Sequence, residues 1–184
     1  IPLLKQWYQR RVHGGDWERS SLLAKDRHLS HHTGTEVNSA EQSPMDTVSD
    51  DVEALLEAAR YNDIDDINTI VSSGVSLESK DSEGRTALHM AAANGHVDTV
   101  KYLINKGVDV NAANAERNTP LHWACLNGHV EVVESLVLAG ANAAAVNSHE
   151  RTPVDEAVVV SKMDVVDAVN SASAQLEISA VKVS

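Results

Sequence analysis

The chain has 184 residues and a formal net charge of −12, with 15 Lys/Arg against 27 Asp/Glu, no Phe and one cysteine. This balance argues against nonspecific nucleic-acid binding, which rests on basic surface. A lone cysteine forbids an intrachain disulfide and is compatible with a reducing compartment, and no apolar run approaches the roughly 18 residues that a membrane-crossing helix needs.

Residues 1–44 hold six Lys/Arg and five Asp/Glu, so the remainder of the chain carries −13. The scattered acids Asp16, Glu18, Asp26, Glu36 and Glu41 do not suit a transit peptide, and Ile1-Pro2-Leu3-Leu4 is too short for a signal-peptide core. The segment reads as disordered or non-native sequence, with Met45 a candidate start. Trp7, Tyr8 and Trp17 beside Arg10 and Arg11 offer another reading, a short interaction motif. His28, His31 and His32 fit an exposed polar tail better than a metal site.

From Asp46 to Asp66 eight acids face a single base, Arg60, while Val52, Leu55, Leu56 and Ala59 keep helical spacing beneath the charge. Such a stretch is either the solvated outer face of a capping unit or a docking surface for a cationic partner.

Two stretches 33 positions apart then match in register, Thr86-Ala87-Leu88-His89-Met90-Ala91-Ala92-Ala93-Asn94-Gly95-His96 and Thr119-Pro120-Leu121-His122-Trp123-Ala124-Cys125-Leu126-Asn127-Gly128-His129. Thr119 is a good N-cap, and Pro120 sits where the first helical turn needs no amide donor. Leu121, Ala124 and Cys125 form one apolar stripe, and Gly128 ends that helix as Gly95 ends its counterpart. Val130, Val133, Leu136 and Val137 make a second stripe, closed by Gly140. Gly74, Gly107 and Gly140 also stand 33 apart, each followed by what reads as a short extended stretch, such as residues 108–111. Helix pairs this short cannot bury an apolar face alone, so neighbours must stack.

The pattern fades outward. Ala58, Ala59, Ile64, Ile67, Ile70 and Val71 keep the register with Asn62-Asp63 in place of Gly-His, and Thr152-Pro153-Val154-Asp155-Glu156-Ala157 with Val165, Val166 and Val169 keeps it with Ser161-Lys162 there. The T-P-L-H-x-A core at this period resembles the ankyrin repeat family. The resemblance implies an all-α repeat, an ankyrin solenoid of about four stacked helix-turn-helix units with short turn fingers. Two are full repeats and two are degenerate caps. The expected units run over about 50–83, 84–116, 117–149 and 150–172, within a domain at 45–172. The tail at 173–184 extends the last helix, lies as a strand or frays.

The resemblance further implies a non-catalytic protein-protein interaction module, an adaptor or dedicated chaperone, that binds through a concave face of turn tips and first helices. Carried over by position, the contact candidates on the tips are Ser82, Glu83, Arg85, Glu116, Asn118, His149 and Arg151. On the helices they are Met90, Asn94, Trp123, Leu126 and Asn127, with Trp123 the preferred anchor because aromatic residues dominate binding hot spots. Arg117 and Glu150 stand where the first finger has Gly84, which puts the shape of those tips in question. The acidic balance favours a basic protein partner over nucleic acid or membrane. The chain is expected to be a cytoplasmic or nuclear monomer without cofactor or metal.

Alternatives are a regulatory or structural fragment of a larger protein, and an enzyme or metal protein. His122 and Cys125 would be half of a zinc site, but no second ligand pair has zinc-like spacing. The recurrent His89, His96, His122 and His129 read as structural. Cys125 aligns with Ala92 and reads as a buried thiol. No Ser-His-Asp, H-E-x-x-H, P-loop or G-x-G-x-x-G pattern occurs.

Overall fold

Threonine caps and left-handed stops punctuate the chain into pairs of short helices. The computed structural model describes residues 44–181, with side chains described over 50–178. Readings made on residues 1–43, including the Trp7/Tyr8/Trp17 motif and the His28/His31/His32 tail, lie outside the described residues.

The helices are α1 (Pro44–Arg60), α2 (Ile64–Ser72), α3 (Ala87–Asn94), α4 (Val97–Asn105), α5 (Pro120–Asn127), α6 (Val130–Leu138), α7 (Pro153–Val159) and α8 (Met163–Val181). No strand occurs among the described residues. α1, α3, α5 and α7 pack in series as an inner row, and each lies against the outer helix that follows it. The described helices fall within one compact unit.

The first helices of the later pairs start at Thr86, Thr119 and Thr152, all in extended conformation. Each threonine faces the third residue of its helix, His89, His122 or Asp155, so cap and helix satisfy one another's end groups. The inner helices α3 and α5 stop at Gly95 and Gly128, both left-handed, with φ of 75° and 83°. A Cβ on Gly95 would stand 2.6 Å from His129 Nδ1, so this glycine is needed for close approach as well as for its φ. In the outer pairs Asn62 and Ser161 adopt the same hand, with φ of 61° and 59°. The degenerate sequence there changes the strain of the corner and not its shape.

Between the two rows lies a thin core. Leu55, Ile67, Val100, Leu103, Leu121, Val132, Val133 and Leu136 are fully buried, and Ala91, Ala92, Ala124 and Cys125 fill the spaces between helices. Small residues at these positions allow inner helices to approach closely, which suits a chain with no Phe to fill a wider gap.

One expectation changes here, and one left open is decided. The extended reading of residues 108–111 gives way to a turn over 109–112, because Asp109 Oδ1 accepts from Asn111 N at 2.9 Å and Ala112 N donates to Asp109 O at 3.2 Å. The Asp side chain offers the backbone a local partner that an extended strand would lack. At the other end, α8 continues to Val181, so residues 173–181 extend the last helix.

Candidate functional site

The fingers between helix pairs are built around Asp81, Asn114 and Asn147, a 33-residue series that sequence reasoning did not single out. In each finger one side-chain oxygen accepts two backbone amides. Asp81 Oδ1 takes those of Glu83 and Arg85 at 2.9 Å each, Asn114 Oδ1 those of Glu116 and Asn118, and Asn147 Oδ1 those of His149 and Arg151. Successive fingers are joined by backbone bonds of 2.9 Å, from Ala115 N to Glu83 O and from Ser148 N to Glu116 O. Their common spacing was the available signal.

Gly84, Arg117 and Glu150 occupy one position in the three fingers, with φ of 74°, 58° and 57°. The finger shape therefore survives loss of glycine, at the cost of holding two L-residues in the left-handed region. Arg117 Nη2 recovers a bond to Asn147 O at 2.8 Å. Glu150 is exposed. Glu150→Gly is expected to raise unfolding stability by about 0.5–1 kcal/mol, read as an upward shift of the urea midpoint; an unchanged or lowered midpoint would contradict it.

Behind the fingers, histidines tie unit to unit. Thr86 N–H donates to His89 Nδ1 at 3.2 Å, which leaves Nε2 as the donor to Asn118 O at 2.9 Å. His122 repeats this with Thr119 and Arg151 O, the latter at 3.1 Å. His96 Nε2 reaches Arg60 O at 2.6 Å and His129 Nε2 reaches Ala93 O at 3.0 Å. Burial lowers the pKa of His89 to about 4, although its bond to Asn118 opposes the shift, and burial lowers those of His122 and His129 as well. Both nitrogens of His122 are thus committed. Cys125 is fully buried, and burial pushes its thiol up to about 12, the state of an inert small hydrophobe rather than a nucleophile.

The predicted contact residues divide by exposure. Ser82, Glu116 and His149 are exposed on the tips, and Glu83, Arg85 and Arg151 are half-buried. Arg85 pairs with Asp81 at 2.5 Å and Glu83 at 3.0 Å, while Arg151 lies 3.5 Å from Glu156. Asn118 is only 6 % exposed; its Oδ1 accepts from Asn147 Nδ2 at 2.9 Å and its Nδ2 donates to Glu116 at 3.2 Å. On the helices, Asn94 Nδ2 donates to Met90 O at 2.8 Å and Asn127 Nδ2 to Ala93 O at 3.0 Å. Leu126 and Trp123 are half-buried.

Met90 and Asn118 depart from the expectation of surface contacts, since both are buried. Met90 is 3 % exposed, and its sulfur lies 3.6 Å from Arg60 Nη2. At the same position one unit later the indole of Trp123 stands edge-on to His89, with ring centroids 5.3 Å apart and an interplanar angle of 73°. Part of the ring stays open, whereas Met90 is covered. The next member of this series, Glu156, was also missed. It is 9 % exposed, and its Oε1 accepts from Asn147 Nδ2 at 2.9 Å. The inner row therefore carries a covered thioether, a half-open indole and a bonded carboxylate in succession.

At the array's first end Asp50, Asp51, Glu53, Asp63, Asp65 and Asp66 are exposed, and the one base there, Arg60, pairs with Glu57 at 2.5 Å. No helix among the described residues is long and apolar enough to cross a membrane. A family model described as ankyrin repeats (3 copies) matches residues 55–147, half of the chain. No curated protein matches the sequence.

Proposed function

Because the chain belongs to the ankyrin repeat family, whose repeats form protein-protein interaction modules, we propose that it is a non-catalytic adaptor or dedicated chaperone for a basic protein in the cytoplasm or nucleus. The observation that carries this reading is the half-open Trp123 ring on the inner row, flanked by finger tips whose cations Arg85 and Arg151 are already paired within the chain. A rigid indole offers contact area at low entropic cost. With Arg85 and Arg151 paired and Arg117 left as the one tip arginine without a carboxylate partner among the ion pairs described, the exposed acids of α1 and α2 dominate the field that an incoming partner meets.

Capture from native lysate on residues 45–184, compared with Trp123→Ala, tests the assignment. A basic protein should be retained by the parent and released as salt rises. Its affinity for Trp123→Ala should fall by at least about 2 kcal/mol, or roughly 30-fold. Undiminished capture by the variant would move the interface away from the inner row. A captured partner that is acidic and indifferent to salt would remove the electrostatic part of the reading.

A further inference from the structure

The last helix pair keeps an apolar forward face that the preceding pairs bury. Val158 on α7 stands at the position of Ala59, Ala92 and Cys125, each 0 % exposed, yet it is 49 % exposed. Val166 on α8 corresponds to Ile67, Val100 and Val133, all fully buried, and is only half-buried. At the corner between the two helices, Val159 and Met163 are 44 % and 56 % exposed. In the earlier units, where a following pair is stacked, the positions of Val158 and Val166 are closed and Leu126 and Val130, which precede Val159 and Met163 by one repeat, are half-buried; α7–α8 have no following pair among the described residues.

The same face lacks two side-chain hooks that earlier units extend to the next one. His89 and His122 reach forward to the carbonyls of Asn118 and Arg151, but Asp155, their counterpart, bonds back to Thr152 in its own unit. Glu78 and Asn111 accept the amides of Asp109 and Asn142 in the next loop, whereas Ala144 stands at that position in the third. An ordinary repeat would find apolar contact here but neither of these side-chain bonds.

Charge narrows the occupant. Asp155, Asp164 and Asp167 stand within three residues of Val158, Met163 or Val166 in sequence and are exposed, and Lys162 is the one base between residues 152 and 178. The Lys162 chain lies back over Gly128, its Cδ 2.9 Å from where a Cβ would stand. Pairing two copies through this face would bring like-charged rims together in a chain of net charge −12, and the acidic α1–α2 end is no better match. An apolar surface with an acidic rim complements an amphipathic helix whose apolar stripe is flanked by Lys or Arg.

We propose that the α7–α8 end is a second docking surface, distinct from the inner row, that receives such a basic amphipathic helix from a protein partner. This rests on the basic-partner reading above but uses different residues, so the two can fail separately.

The probe is a synthetic peptide of about five helical turns, roughly 18 residues, with Leu at i, i+3, i+4 and i+7 and Lys on the flanks. Its binding to the full chain is followed by fluorescence anisotropy, beside a scrambled peptide of the same composition. Affinity should fall by about tenfold or more in a Val158→Lys/Met163→Lys double variant, both sites being exposed, with helicity checked by circular dichroism. Affinity should be unchanged in Trp123→Ala and should weaken with salt. Equal binding of the scrambled peptide, or equal affinity for the double variant, would overturn the proposal. So would a sedimentation coefficient that rises with protein concentration and is reset by the double variant, since a second copy would then cover the face. A loss confined to Trp123→Ala would place the peptide on the inner row and leave only the reading above standing.

Discussion

Acidification from pH 7 to pH 4 is expected to strip about 3 kcal/mol of unfolding stability through His89 alone. The folded imidazole is held neutral, its pKa lowered to about 4 mainly by burial, whereas in the unfolded chain it titrates near 6.5. The unfolded state therefore binds the extra proton first. Stability is complete above the unfolded value, declines as the pH falls below about 6.5, and is exhausted for this group near the folded value. His122 and His129 are lowered in the same sense and steepen the loss. The cause is geometric. Nδ1 of His89 already accepts the Thr86 amide, so a second ring proton would break the cap while bringing charge into the core. Urea unfolding at pH 7, 6, 5 and 4, with the His89 ring protons followed by NMR, measures both quantities. A His89 resonance that titrates near 6.5, or a midpoint flat over that range, would refute the account.

Removing three carbons from Leu121 should be comparably damaging. Leu121 is 0 % exposed on α5, which packs between α3 and α7, and Leu121→Ala is expected to cost about 3 kcal/mol through lost burial and the cavity left behind. The same position in the last pair is Val154, which is only half-buried. Val154→Ala should cost about 1 kcal/mol or less, because its site already opens to water. In a linear array each unit is stabilised by its neighbours, so a central defect weakens two interfaces and a terminal one at most one. Paired urea denaturation curves decide the matter, and equal losses at the two sites would show that position along the array does not govern the cost.

Much of this protein is legible in its amino-acid sequence. The 33-residue period, the Thr-Pro starts, the glycine stops and the apolar stripes determine the helix pairs and their stacking order. These are local signals, since a cap, a left-handed stop and a 3.6-residue periodicity act within a few residues of chain. Even the departures Asn62, Ser161, Arg117 and Glu150 preserved the backbone, as the surrounding bonds oblige them to adopt a positive φ. What remained hidden was side-chain exposure. Met90, Trp123 and Glu156 share one repeat position yet are covered, half-open and bonded to Asn147, and Cys125 and Val158 share another yet are buried and exposed. The tertiary structure alone decided these differences, because burial is set by what the adjoining unit places against a residue and not by the residue's own stretch of chain.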